Sequence, residues 1–186
     1  MKGAPRKTTR EALLETAGAL FAERGLAATS ISDIASAASI GKGTFYHYFG
    51  SKEALVDALF LPEASILSDL VLNGGEKPTV KETAERLLAF FGGRRLFLAE
   101  LRSAYRGRAA YGFVELSRSC FVPMINRYYR RDPRYAVEDL ATYSELVVGA
   151  VLDLCCYRLL EGRIGSDAEA LVMLEDLLKR FFDCEP

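Results

Sequence analysis

The stretch Ser32–Leu55, SDIASAASIGKGTFYHYFGSKEAL, decides how the chain is read. Within it, Gly41 to Phe49 places two glycines, a lysine, a histidine and the rings of Phe45, Tyr46, Tyr48 and Phe49 in nine residues. An ordinary core helix is not built this way. A glycine inside a helix costs about 1 kcal/mol relative to alanine, and tyrosine and histidine are seldom fully buried. The composition asks for a reason outside the chain.

The flanks give this stretch a shape. Ser30 followed by Asp33 is a capping-box pattern, opening a short helix with Ile31, Ile34, Ala35 and Ala38 inward. The chain turns at Ala38–Ser39–Ile40, a third short helix runs from Lys42 to Phe49, and Ser51 caps a fourth that starts at Lys52. Upstream, Thr8 and Glu11 open a first helix whose stripe is Leu13, Ala17, Leu20 and Phe21, with Gly25 as its stop. Two short helices across a tight turn, braced by a preceding helix, describe a helix-turn-helix unit.

Downstream the elements lengthen. Asn73–Thr79 reads as a loop, Thr79 with Glu82 caps the next helix, and breaks fall at Gly92–Gly93 and Gly107. A helix over 108–131 contains Pro123, which predicts a kink. An apolar helix follows over 134–161, and Ser166 with Glu169 caps the last. No convincing period-2 run is present. The expectation is an all-α protein of about nine helices: an N-terminal three-helix unit with a basic arm over 1–60, and a larger helical domain over 61–186.

Half the residues are hydrophobic and 26% charged, as in a globular protein. No apolar run reaches the roughly 18 residues of a membrane span, and the N-terminus lacks a signal-peptide pattern. A cytoplasmic protein without membrane association is expected. Cys120, Cys155, Cys156 and Cys184 sit in apolar helical patterns and read as structural thiols, with a redox role as the alternative. One histidine and no CxxC give no metal site. No acid, base and nucleophile converge, so no catalytic residue, enzyme activity or cofactor is expected. Charge is uneven: Lys2, Arg6, Lys7 and Arg10 face no acid in residues 1–10, and 92–135 hold ten arginines against Glu100, Glu115 and Asp132. Residues 136–186 carry four basic and eleven acidic side chains.

The segment from Thr29 to Leu55 resembles the DNA-binding signature of the tetracycline-repressor (TetR) family of bacterial regulators. The matching positions are Ser30, Ile34–Ala35, Ala38–Ser39–Ile40, Gly41–Lys42–Gly43, Tyr46, Phe49 and Lys52–Glu53–Ala54–Leu55. Two depart from the pattern: Ser39 stands where the turn usually has glycine, and Gly41 replaces the usual hydroxyl cap. The resemblance covers about the first 60 residues and implies a DNA-binding transcriptional regulator, most often a repressor.

The side chains fit that chemistry. A recognition helix enters a major groove about 12 Å wide, so Gly43 permits close approach while Lys42 and Thr44 reach phosphate or base edges. Tyr46 and His47 project from the same region, whereas Phe45 and Phe49, four apart, face the core. Ser51 and Lys52 open the fourth helix, where free amides and a positive charge suit a phosphate. Ser30, the hydroxyl of the signature, completes the candidate DNA-binding set. The arm Lys2–Arg10 is a further candidate for phosphate or minor-groove contact.

In the larger half, the run Leu146–Cys156 is apolar on most sides and needs more than one partner. The resemblance implies that the last two helices form a homodimer interface, and hence a palindromic operator on double-stranded DNA. It also implies a pocket for a small hydrophobic effector in the middle helices. The candidates are Phe90, Phe97, Leu101, Arg102, Tyr105, Tyr111, Phe121, Met124 and Tyr128. The arginines of 92–135 suggest an anionic ligand or, alternatively, a charge-paired surface. Control by a protein partner or by thiol oxidation is the alternative to a small molecule. Pro62 is expected to bend or interrupt the fourth helix, and in the family that element transmits ligand binding.

Overall fold

The computed structural model describes residues 9–72, 79–107, 111–119 and 137–182. Its regular structure there is entirely helical. The elements are α1 (Thr9–Arg24), α2 (Ile31–Ala37), α3 (Lys42–Tyr48), α4 (Lys52–Leu72), α5 (Val80–Gly92) and α6 (Arg95–Gly107). They continue with α7 (112–119), α8 (Val137–Leu159) and α9 (Asp167–Phe182). The chain divides into two compact units, Met1–Pro62 and Glu63–Pro186.

In the first unit the α1 stripe of Leu13, Ala17, Leu20 and Phe21 is buried with Ile34, Ala35, Phe45, Phe49, Leu55 and Val56. Burying a side chain such as Phe45 contributes about 2–3 kcal/mol, so a core this small depends on each ring. Gly25, at φ +80, ends α1 in a left-handed residue that glycine adopts without strain. The connection to α2 is pinned from both sides: Thr29 Oγ1 donates to the Gly25 carbonyl at 2.9 Å, and Lys52 Nζ donates to the Leu26 carbonyl at 2.5 Å.

The capping signals operate as their spacing predicts. Ser30 Oγ accepts from the Asp33 amide while Asp33 accepts from the Ser30 amide, and Thr79 and Glu82 repeat the arrangement at α5. Ser51 and Ser166 accept from the Ala54 and Glu169 amides. Of the two expectations for Pro62, the interruption of its helix does not occur. It lies inside α4, which is helical without interruption from Lys52 to Leu72. Buried Phe60 before it, and Ala64 and Leu67 after it, keep the helix in place where propensity alone would break it.

In the second unit α5 packs on α9, α6 on α8, and α8 on α9. Its core includes an aromatic cluster, with the Phe97 ring 6.1 Å from Phe90 and 6.0 Å from Phe113. The helix expected over 108–131 is described only over 112–119; Pro123 and its kink lie outside the described residues. The helix expected over 134–161 is described as α8, which ends at Leu159.

Candidate nucleic-acid interface

The α2–α3 junction is a Schellman turn. The Ser39 amide donates to the Ser36 carbonyl at 3.0 Å, and the Ile40 amide to the Ala35 carbonyl at 2.9 Å. This geometry needs a left-handed residue, and Ser39 supplies it at φ 55, the one non-glycine with positive φ among the described residues. Gly41 then caps α3 through its backbone alone. The helix is fastened by a single side chain, Phe45, which is fully buried, and Phe49 closes its C-terminus from the core.

The rest of α3 faces outward. Lys42, Gly43, Thr44, Tyr46, His47 and Tyr48 are exposed, with Tyr46 at 53% and Tyr48 at 39%. A Cβ added at Gly43 would meet nothing within 4 Å, so the packing of the protein does not call for glycine there. Lys42 opens the helix, and its first turn carries no acid. The nearest acids in sequence are engaged. Hydrogen bonds from the Ser30 hydroxyl and amide hold Asp33 below the usual carboxylate range, and bonds from its own amide and the Ser51 hydroxyl do the same for Glu53.

Five of the eight residues expected to touch DNA (Lys42, Gly43, Thr44, Tyr46 and His47) are thus together on one short exposed helix. The other three have internal work. Ser30 and Ser51 spend their hydroxyls on caps. Lys52, expected at a phosphate, is half-buried with its ammonium on the Leu26 carbonyl, which makes it a brace of the α1–α2 connection. Sequence reasoning passed over Tyr48, whose ring stands edge-on to His47 at 5.2 Å. Arg10, read as part of a basic arm, lies in α1 with its guanidinium 5.2 Å from the Phe49 ring centroid. Lys2, Arg6 and Lys7 lie outside the described residues.

Of the effector candidates, Phe90, Phe97 and Leu101 are core residues, while Tyr105 and Tyr111 are half-buried. Phe121, Met124 and Tyr128 lie outside the described residues. Arg102, an effector candidate, has internal partners. Its Nε donates to Asp153 at 2.8 Å and its Nη1 to Glu161 at 2.6 Å, so its charge is already answered. Arg106 also binds Asp153, and Arg94 binds Glu63. The thiols of Cys155 and Cys156 are buried and unbridged. Burial pushes Cys155 up to about 12 and Cys156 up to about 11, so neither is a thiolate at neutral pH. No cluster of metal-ligating side chains occurs among the described residues, and no described helix is long and apolar enough to cross a membrane.

A small helical unit that exposes its third helix after a Schellman turn has the architecture of helix-turn-helix DNA-binding proteins. Residues 13–59 match the family model described as "Bacterial regulatory proteins, tetR family". The match lies within the first unit, and the likeness to that family is shown for those residues. The HTH-type transcriptional repressor KstR2 of Mycobacterium tuberculosis is 58% identical over 50 residues, 27% of this chain and 25% of the repressor. The alignment thus spans a quarter of that relative's length. A TetR-like transcriptional regulator from Rhodococcus sp. RHA1 shares the fold over 98% of this chain and 100% of its own, with a TM-score of 0.69 at 24% identity. The regulator FadR from Bacillus subtilis, solved with stearoyl-CoA, superposes over 95% of this chain and 99% of its own, with a TM-score of 0.64 at 15% identity.

Proposed function

We propose that this protein is a homodimeric transcriptional repressor that binds a palindromic operator through α3 and releases it in response to a small hydrophobic effector. The observation that carries the reading is the outward face of α3: Lys42, Gly43, Thr44, Tyr46 and His47 exposed on a helix held by Phe45 alone. Phosphate contacts position such a helix and base contacts specify its site. Tyr48 joins the set by its exposure. The repressor named among the relatives supports repression, and its likeness to this chain lies in the DNA-binding segment. Residues 1–60 would bind DNA and 61–186 would bind the effector and the second subunit, in the cytoplasm.

Dimerisation is supported by apolar exposure on two helices that pack together. Leu146 of α8 is 62% exposed, and Val172 and Met173 of α9 are 67% and 44% exposed. A two-fold pair would set two α3 helices on half-sites about 34–36 Å apart or a multiple of that distance. The hydrophobic effector is supported by the acyl-CoA carried by the FadR structure of the same fold.

Selection of bound duplexes from a random DNA pool tests the proposal. The full chain should enrich a palindrome, and Tyr46→Ala and Lys42→Ala should lose it. Binding should weaken steeply with salt as phosphate contacts release counterions, and Lys42→Ala should reduce that slope by about 1. A folded dimer that enriches no motif would remove the operator reading.

A further inference from the structure

Phe45 is the inward pole of α3, fully buried at the middle of the helix, and the helix period arranges the other side chains around it. At about 100° per residue, Gly43 and His47, two residues to either side, lie about 160° away and share the ridge opposite the core. Thr44 and Tyr46 fall about 100° to either side, and Lys42 and Tyr48, three residues away, return to about 60° from Phe45. Every one of these residues is exposed. The ridge farthest from the core thus carries one functional side chain, the imidazole of His47, while the hydroxyls and the ammonium stand on the flanks.

The space before that imidazole is open. Side chains lean toward the N-terminus of their helix, over the preceding turn. On this ridge the preceding turn holds Gly43, where an added Cβ would meet nothing within 4 Å. The ring of Tyr48 stands edge-on to His47 at 5.2 Å, with an interplanar angle of 84°, a contact that restricts the imidazole.

The chemistry of the exposed set narrows the base that such a ring can read. Lys42, Thr44, Tyr46, His47 and Tyr48 bring N–H and O–H donors, and no carboxamide or carboxylate stands among them. Asn and Gln are the side chains that match adenine, and Asp and Glu accept from cytosine. An imidazole has an N–H donor in either charge state. Guanine offers two adjacent acceptors, N7 and O6. Adenine sets an N6 donor beside its N7, and thymine has one acceptor beside a methyl group. An N–H directed at these edges is therefore best received by guanine.

We propose that His47 reads guanine from the ridge of α3, so that each operator half-site carries a guanine opposite it, while Lys42 and Tyr48 on the flanks meet phosphates. The inference rests on the operator-binding reading above and names a base that the operator must contain.

Selection from a random duplex pool with the full chain, as wild type, His47→Ala and His47→Gln, tests it. The wild-type motif should hold a guanine in each half-site that His47→Ala no longer selects, with the rest of the motif kept. His47→Gln should exchange that guanine for adenine, because a carboxamide matches adenine N6 and N7. A side chain that only supported the helix would not exchange one base for another. On a duplex with 7-deazaguanine at that position, wild type should bind about 10-fold more weakly, and His47→Ala should bind it and the parent duplex equally. A motif unchanged in either variant, a half-site without guanine, or an equal loss from 7-deazaguanine in wild type and His47→Ala overturns the assignment and leaves the operator reading in place. No enriched motif from wild type removes that reading and this inference together.

Discussion

Ser39 holds the turn between α2 and α3 in a conformation that an L side chain adopts at a cost of about 1–2 kcal/mol. Glycine would remove that cost but return about 0.5–1 kcal/mol through the freedom of its unfolded chain. Ser39→Gly should therefore stabilise the protein by roughly 0.5–1 kcal/mol. The urea midpoint should rise with an unchanged slope; a fall would mean that the serine is not strained. At this scale the sequence was informative wherever partners lie within four residues. Ser30–Asp33, Thr79–Glu82 and the inward pair Phe45 and Phe49 were all legible from spacing. Lys52 and Arg102 were not, because their partners Leu26, Asp153 and Glu161 are brought to them only by the tertiary fold.

Among the elements, α3 and α4 override local propensity in different ways. The seven residues of α3 are too few for a stable isolated helix, and the helix persists on the burial of Phe45 and the turns at its ends. In α4, proline removes one hydrogen bond inside a helix of 21 residues. The sequence signalled Pro62 as a bend or a stop because composition counts the lost bond and cannot count the buried residues on either side. Since Pro62 is exposed, Pro62→Ala restores the bond at no cost in packing and should stabilise α4 by about 1–3 kcal/mol. Thermal unfolding would register this as a higher midpoint. If the proline also serves transmission, the ratio of operator affinities with and without effector should change more than dimerisation does. An unchanged ratio would leave Pro62 a structural feature only.

For the whole molecule, the helical class and the spacing of the elements were readable because amphipathic period and caps are local properties. Which acids answer which arginines was not, since that depends on helix pairing; Arg102 meets Asp153 and Glu161 only in the packed second unit. The apolar face around Leu146 and Val172 belongs to the same scale. A dimer joined there should lose self-association about 10-fold or more on Leu146→Glu or Val172→Glu, through lost burial and an added charge. Sedimentation velocity across a concentration series would reveal it, and a wild-type chain that stays monomeric throughout would remove the dimer.

The empty space around Gly43 sets two selective pressures against each other. Alanine there would suit the helix better by about 1 kcal/mol and collide with nothing in the protein. A library sorted for thermal stability would therefore enrich the substitution, while one sorted for operator occupancy would discard it. If α3 enters the groove as proposed, optimising for robustness alone would erode the grip on DNA first at a residue that folding does not need.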